Sequence, residues 1–507
     1  MKPDQPSLQI DTFDEALGAT ASCVRSALPM LTTLAVALAS SVVLTLAGCA
    51  SSAGIAPTAR VQTPAGIAAD AAISPALAGD WWRAFGDSAL NDLIARALAD
   101  NPGLKVAQAR LARADAAAAG AQALAGPQVN GSLDVSRQRF SATSIYPPPL
   151  GGSVRTLGTA QIGASWEIDF FGRNRAAIEA AVGSQRAARA DADAARVLLA
   201  SNVARAYVQL ARLVEQRDVA ERSLKQRDDV LALIKQRVQG GLDTTVEQRQ
   251  GEGALPESRQ QIEALAEQIT LTRHALAALS AQAPDALDGL NPQLARMQGV
   301  PLPEAVPADL LGRRADIAAA RWRVEAAGSD VQSARAQFYP NINLTAFIGL
   351  ASIGLDQLVK SGSEQYGAGP ALRLPIFDAG RLRANLRGKS AEADAAVESY
   401  NGAVIDAVHD VADQIASLRS VARQQAEQAR AQAATESAYD LSRQRYQAGL
   451  GNYLTVLNAE AAVLNQRRLA VDLKARALDS QIALARALGG GYAADADAAA
   501  LLAQAAH

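Results

Sequence analysis

Two periodicities alternate along this chain, and they change places in the same order twice. Between residues 88 and 125, Leu90, Leu93, Ile94, Ala97, Leu98 and Leu104 recur at the spacing of one face of an amphipathic helix. The stretch 309 to 338 repeats this with Ile317, Val324 and Val331, and Pro127 and Pro340 are placed to stop the two helices. After each proline the period falls to two. Val129, Leu133 and Val135 alternate with Asn130, Ser132, Asp134 and Ser136, and Ile162, Ala164, Trp166 and Ile168 alternate with Gln161, Ser165, Glu167 and Asp169. Further on, Ile342, Leu344, Ala346 and Ile348 oppose Asn341, Asn343 and Thr345, while Tyr366, Ala368, Leu372, Leu374 and Ile376 oppose Gln365 and Arg373. The pattern predicts four strands of about nine to eleven residues, each with one apolar and one polar face.

After each strand pair the chain returns to helix, over 174 to 239 and 381 to 447. Each run would extend roughly 100 Å at 1.5 Å per residue, far beyond an ordinary globular helix. Gly240-Gly241 and Gly449 interrupt the runs, and helices resume over about 243 to 280 and 452 to 488. Gly251, Gly253 and Pro256 are expected to weaken the first resumed helix.

The order is an internal repeat. From EIDFFGRNRAAIEAA around Arg173 to LPIFDAGRLRANLRGKS around Arg381 is a step of 208 positions, and the same step carries Arg237 to Leu242 onto Arg445 to Leu450. Segments 100 to 135 and 316 to 346 correspond at nearly that step. The organisation read from this is a leader over 1–48, a linker over 49–79, and a first copy made of a helical segment 80–127, a β-hairpin 128–170 and a helical hairpin with connector 171–307. A second copy has its helix at 308–339, its β-hairpin at 340–377 and its helical hairpin at 378–490, before a tail over 491–507.

Composition narrows the class. Of 507 residues only 4% are aromatic, and Ala and Gly abound, which favours long, closely packed helices. Lys plus Arg number 49 against 51 Asp plus Glu, a balance that argues against a nucleic-acid partner. The three histidines, His274, His409 and His507, have no clustered metal spacing, and His409 and Asp410 are neighbours on a predicted helix that do not face one another. No phosphate loop is present, so neither catalysis nor a cofactor or metal is expected.

The two cysteines, Cys23 and Cys49, cannot staple the rest of the chain. Pro29 to Gly48 is an uncharged apolar run that reads as an export-signal core. A transmembrane anchor is the alternative, since the run approaches the roughly 20 residues that span a bilayer. Leu46-Ala47-Gly48-Cys49 tips the choice, because it looks like a lipoprotein processing site that would leave a lipid on Cys49. The flank is atypical: Lys2 and Arg25 are its basic residues, against Asp4, Asp11, Asp14 and Glu15, and a start at Met30 would leave none. The Ala-, Gly-, Pro- and Ser-rich linker from Ala50 to about Gly79 is expected to be extended or mobile.

Amphipathic strands of this kind suit either two solvent-facing hairpins on a helical protein or the wall of a membrane barrel. Lipid tolerates no open sheet edge and four strands are too few to close, so the membrane reading requires several chains: a dimer gives eight strands, a trimer twelve.

Several strings are more specific. Trp81-Trp82-Arg83-Ala84-Phe85 leads into Leu90-Asn91-Asp92-Leu93-Ile94 and Asn101-Pro102; Ser165 to Arg173 reads SWEIDFFGR; Arg313-Arg314-Ala315-Asp316-Ile317 opens the second copy. Pro375-Ile376-Phe377-Asp378-Ala379-Gly380-Arg381, Arg445 to Gly449, Tyr453 to Leu457 and Ala487 to Tyr492 complete the set. Together these resemble the outer-membrane efflux lipoproteins, the NodT-like branch of the TolC superfamily, over residues 80 to 492.

The resemblance implies a mostly α-helical chain with a membrane β-barrel, a homotrimer with twelve strands, and a helical tunnel across the periplasm. It also implies a periplasmic adaptor and an inner-membrane transporter as pump partners, and a passive conduit for exported small molecules. Asn130, Ser132, Asp134, Gln161, Ser165, Glu167, Asn341, Asn343 and Arg373 would face the lumen. Ile162, Trp166, Ile342, Leu344, Tyr366 and Leu372 would meet lipid. Gly172, Arg173, Gly380 and Arg381 fall at the barrel-helix junction, in a structural role. Arg237, Gly241, Asp243, Arg445, Tyr446, Gly449, Asn452 and Tyr453 fall at the periplasmic turns, as gate or adaptor contacts. The competing view of those turns is that the glycines reverse the chain and the tyrosines simply pack. Trp81 and Trp82 are expected to anchor the N-terminal segment on the tunnel surface rather than to bind a ligand. Two positions depart from the family pattern: Ala315 replaces a proline, and Gly451 replaces an acidic residue at the second turn. The rival function is a lipid-tethered coiled-coil spacer without a pore.

Overall fold

The computed structural model describes residues 51–62, 77–143, 145–299 and 310–492. The leader and Cys49 lie outside the described residues. Trp81–Phe85 forms a short 3-10 helix. Asp87 then caps α1 (Ser88–Asp100), accepting from the amides of Ala89 and Leu90 at 3.0 and 3.2 Å. Asn101 separates α1 from α2 (Pro102–Leu124), so the expected single run over 88 to 125 is two helices, the second opened by a proline at its first position. There follow β1 (Gln128–Arg139), β2 (Val154–Ile168), α3 (Arg173–Gln239), α4 (Thr245–Leu279), α5 (Ala315–Ala336), β3 (Asn341–Ile353), β4 (Glu364–Arg373), α6 (Arg381–Gln447) and α7 (Tyr453–Ala487).

The repeat is expressed in element bounds. Helices α3 and α6 each contain 67 residues and α4 and α7 each contain 35, and both ends of each pair stand 208 positions apart. The strands have 12, 15, 13 and 10 residues, so three exceed the expected length. Strand β4 stops at Arg373, which leaves Leu374 and Ile376 beyond it, beside Pro375, a residue with no amide to give a ladder.

Helix α4 passes through Gly251, Gly253 and Pro256 without interruption, contrary to expectation. Packing accounts for this: Gly251, Ala254, Leu255 and Ser258 are buried, and a Cβ at Gly251 would lie 3.0 Å from Leu231 Cδ1 and 3.2 Å from Ile234 Cδ1. The small residues let α3 approach closely, which offsets the local propensity cost. Helix α5 likewise starts at Ala315 without the family's proline. The buried Arg314 beside it donates to Asp316 at 2.7 Å and to the Ala487 carbonyl at 3.1 Å, fixing the start by side-chain bonds.

By contacts the described residues fall into two compact units. One holds 51–58, 121–179 and 327–393. Its four strands form one antiparallel sheet in the order β1-β2-β3-β4, so the hairpins of the two copies are joined through β2 and β3. A small core of Ile55, Val331, Ala334, Phe338, Leu382, Leu386 and Ala393 lies in the same unit.

The other unit holds 59–62, 77–120, 180–299, 310–326 and 394–492. Its main core joins Trp81, Trp82 and Phe85 to Leu90 and Ile94 of α1, Val203, Tyr207 and Leu210 of α3, Ile269 and Leu276 of α4, and Leu478 and Ile482 of α7. The tryptophans are thus packed inside a helical core, their rings edge-to-face at 5.8 Å.

Part of the expected linker is held by its backbone. In the first unit Arg383 donates to the Ser51 carbonyl at 2.6 Å and Ile55 is buried. In the second, Asp394 accepts from the Ala59 amide at 2.8 Å, and Asn401 accepts from the Gln62 amide at 2.9 Å and donates to the Arg60 carbonyl at 3.0 Å. Residues 51–62 are therefore bound along α6 rather than mobile. Among the described residues no helix is long and apolar enough to cross a membrane.

Candidate functional site

The sheet register sorts the strand residues into two faces, because directly opposed residues project to the same side. On one side Ile162 faces Ile348, Trp166 faces Leu344, and Ile342 faces Leu372. Val129, Leu133 and Val135 lie opposite Ala164, Ala160 and Gly158 on that side. These apolar side chains are exposed: Leu133 69%, Ile348 64%, Leu372 69% and Tyr366 83%. On the other side Ser132 faces Gln161, Glu167 faces Asn343, and Asn341 faces Arg373. Asn130, Asp134 and Ser165 belong to the same side, so the register brings all nine candidate lumen residues onto one face. The sequence pattern missed Phe347, which interrupts this polar face and whose ring occupies the space above Gly367.

The helix starts next to the sheet are built alike. Asp169 accepts from the amides of Asn174 and Arg175 at 3.1 and 2.8 Å, and Asp378 accepts from those of Gly380 and Leu382 at 3.0 and 2.7 Å. Each carboxylate satisfies amides that a helix N-terminus otherwise leaves open. These two caps were not singled out from the sequence, although an acid just before each Gly-Arg pair is the signal that marks them. Gly172 and Gly380 both have positive φ. Arg173 pairs with Glu167 at 2.5 Å. A cavity of about 460 Å³ gathers Glu167, Asn341 and Arg373 of the polar face with Arg173 and Arg381. Phe171 stacks on Tyr339 at 4.8 Å, and Phe170 and Phe377 are exposed nearby in the chain.

At the far turns the two copies share a backbone. Gly241 and Gly449 have φ of +73° and +77°. The Leu242 amide donates to the Arg237 carbonyl and the Leu450 amide to the Arg445 carbonyl, both at 2.8 Å. Both turns are Schellman endings, in which glycine takes the left-handed position at no steric cost. Thr244 caps α4 in a reciprocal box with Glu247, and Asn452 caps α7 by accepting from the Thr455 amide at 3.0 Å.

The side chains differ. Arg237 grips Asp243 with two bonds, Nε to Oδ2 at 2.8 Å and Nη2 to Oδ1 at 3.2 Å. Its Nη1 donates to the Tyr446 carbonyl at 2.9 Å, and its guanidinium lies 4.5 Å from the centre of the Tyr446 ring. The Tyr446 hydroxyl donates to Asp243. Tyr446 is fully buried and sits 6.2 Å from the ring of Tyr453. Burial raises the Asp243 carboxyl, but hydrogen bonds from Arg237 and Tyr446 outweigh it and hold the group below the usual carboxylate range. Burial, followed by the bond to Asp243, pushes the Tyr446 phenol above the ordinary tyrosine range. The second turn has no such cluster. Gly451 stands where the 208-position step would put Asp243, and Arg445, the counterpart of Arg237, is exposed without an ion pair among the described residues. Asn452 acts as a helix cap outside the cluster. No group of His, Cys, Asp or Glu able to hold a metal occurs among the described residues.

A two-faced sheet joined to helical hairpins of this length has counterparts. A sequence model described as "Outer membrane efflux protein" matches residues 93–282 and 306–490. The chain belongs to the outer membrane efflux protein family. Within the TolC superfamily it lies with the NodT-like branch. It is 34% identical over 420 residues to the putative multidrug resistance outer membrane protein MdtQ of Escherichia coli (strain K12), covering 81% of this chain and 88% of that one. It is 39% identical over 369 residues to the fusaric acid resistance protein FusA of Burkholderia cepacia, covering 71% of this chain and 69% of that one. The crystal structure of the outer membrane protein VceC from Vibrio cholerae superposes with a TM-score of 0.78 at 35% identity, covering 82% of this chain and all of the other, 100%. The protein is an outer-membrane efflux component, and its mostly helical chain with one four-stranded sheet is the monomer fold of that family.

Proposed function

We propose that three copies of this chain close a twelve-stranded barrel in the outer membrane and form a passive conduit for small exported molecules. The observation that carries this reading is the sheet itself: exposed apolar side chains cover one face, polar ones the other, and β1 and β4 each leave an unpaired edge. An open edge is not tolerated in hydrocarbon, so the apolar face can meet lipid only if copies pair edge to edge. Because four is even, β4 of one copy runs antiparallel to β1 of the next, and each joint continues the ladder. Two copies would give about eight strands, an interior that side chains fill, whereas about twelve leave room for water. Asn130, Ser132, Asp134, Gln161, Ser165, Glu167, Asn341, Asn343 and Arg373 then line the lumen.

The helical hairpins extend into the periplasm, where a periplasmic adaptor and an inner-membrane transporter complete the pump and supply the driving force. Gly172, Arg173, Gly380 and Arg381 set the passage from strand to helix. Arg237, Asp243 and Tyr446 clasp the first turn, while Arg445, Asn452 and Tyr453 border the second. A lipid on Cys49 tethers the chain as well. Supporting this, Ser51 is fixed by Arg383 in the first turn of α6, two residues from Cys49 and in the unit that holds the sheet. A coiled-coil spacer would have no use for a lipid-sized apolar face on a sheet.

Purified from outer membranes in mild detergent, the protein should have the mass of three chains and add discrete conductance steps to a planar bilayer. A monomer, or a trimer that never conducts, would contradict the proposal.

A further inference from the structure

The outward face of the sheet carries charge at one place. Arg137 and Arg139 of β1 share the parity of Val129, Leu133 and Val135, and Glu364 of β4 shares that of Tyr366 and Leu372. All three are exposed and stand toward the strand ends remote from α3 and α6. Neither arginine has an ion-pair or side-chain hydrogen-bond partner among the described residues, and the Glu364 carboxylate accepts from nearby backbone amides, that of Gly362 at 2.8 Å, and from no side chain among them. The two signs are on the two open edges of the sheet.

Strand geometry says where these edges meet. Seen from the side-chain side with the chain running upward, the N–H and C=O of an L-residue in a strand point right. The carbonyl of Thr156, an outward residue of β2, accepts from the Gly354 amide beyond β3 at 2.7 Å. Strand β2 runs back toward the helices, so for a viewer outside the barrel the order is β1 to β4 from right to left. Within one copy, Glu364 lies level with Leu350, Ala160 and Leu133. Twisted strands coil right-handedly around a barrel, so a row running left climbs, and it meets the next copy's β1 above Leu133. With about twelve strands tilted roughly 35–45° and spaced about 4.8 Å, at about 3.3 Å per residue, the climb per copy is about four to six residues. It must be even for outward side chains to meet outward side chains. Four residues above Leu133 is Arg137, and six is Arg139.

Resting on the trimeric barrel proposed above, we infer that Glu364 of each copy forms an ion pair with Arg137 or Arg139 of the next on the outer, lipid-side rim, and that this pair sets the register of the subunit joint. Pro370 strengthens the case. As an outward residue of β4 it turns its missing N–H to the open edge, so the joint loses a ladder bond there and rim side chains carry more of the specificity.

Cysteine pairs test it. Glu364→Cys combined with Arg137→Cys or with Arg139→Cys should give covalent dimers and trimers on oxidation, whereas Glu364→Cys with Leu133→Cys should not. Glu364→Arg should lower the temperature at which the trimer dissociates, and adding Arg137→Glu and Arg139→Glu should restore it. Trimers that cross-link through Leu133→Cys instead would overturn the register and leave the barrel standing. Trimers weakened by the arginine reversals with no rescue from Glu364→Arg would also overturn it, assigning the arginines to anionic lipid headgroups. Failure to trimerise at all would remove both the inference and the barrel reading.

Discussion

The two far turns of this molecule are one backbone used twice with different side chains. The glycines sit at matching steps, the Schellman bonds are equal at 2.8 Å, and the exposed leucines Leu242 and Leu450 correspond. Only the first turn is clasped: Asp243 holds Arg237 and Tyr446 together, whereas Gly451 leaves Arg445 free of an ion pair among the described residues. Repetition therefore fixes the path of the chain, while one carboxylate decides which hairpin end is tied to the other copy. Arg237 reaches across to the Tyr446 carbonyl, so the first turn also restrains the second.

The largest change should come from Asp243→Ala. It leaves the half-buried Arg237 without its counter-charge and removes two charged hydrogen bonds, a loss of about 2 kcal/mol, to be read as faster amide exchange at both turns. Arg445→Ala should stay within about 0.5 kcal/mol; equal effects would mean that the turns are not different in kind. The same carboxylate fixes the pH response. Its pKa is depressed in the folded state, so its contribution is complete above about pH 4 and is lost as the pH falls through the lower folded value. The protection factor at the turns, exchange divided out by its intrinsic pH dependence, should be flat from neutrality to about pH 5 and fall only in stronger acid; a fall near neutrality would point to another group.

Next in size, Gly241→Ala and Gly449→Ala should each cost about 1 kcal/mol, because both place a Cβ in left-handed backbone. Thermal unfolding of the two variants should agree, as the backbones do. Tyr446→Phe should cost about 1 kcal/mol by removing one charge-assisted hydrogen bond while keeping the ring under Arg237. Smallest is Gly451→Asp. The position has room, with nothing nearer than 3.6 Å to an added Cβ, and the new acid faces an exposed arginine, so the gain should be under about 1 kcal/mol. Slower exchange confined to the second turn would sharpen the contrast, and no change would show that charge alone does not make a clasp.

Much of this was legible in the sequence because the periods are physical. Alternation over 129–136 and 161–169 gave both the strands and their faces, since a strand cannot turn one residue without turning all. The 208-position step carries the correspondence of the turns. Other features had no local signal. Residues 51–62 look like a flexible linker because they lack large side chains, yet it is their backbone that Asp394, Asn401 and Arg383 bind. Helix α4 looks weakened at Gly251, Gly253 and Pro256 because propensity is local, whereas the close approach of α3 is not. The Asp243–Tyr446 bond joins residues 203 positions apart, so the sequence could nominate both without pairing them.

Single-channel conductance in a planar bilayer tests the central claim most directly, with wild type, Asp243→Ala and Arg445→Ala trimers compared at neutral pH. If the clasp is the contact that narrows the periplasmic end, wild type gives small steps, Asp243→Ala several-fold larger ones, and Arg445→Ala wild-type steps. Equal conductance for wild type and Asp243→Ala, from trimers of verified mass, would contradict it.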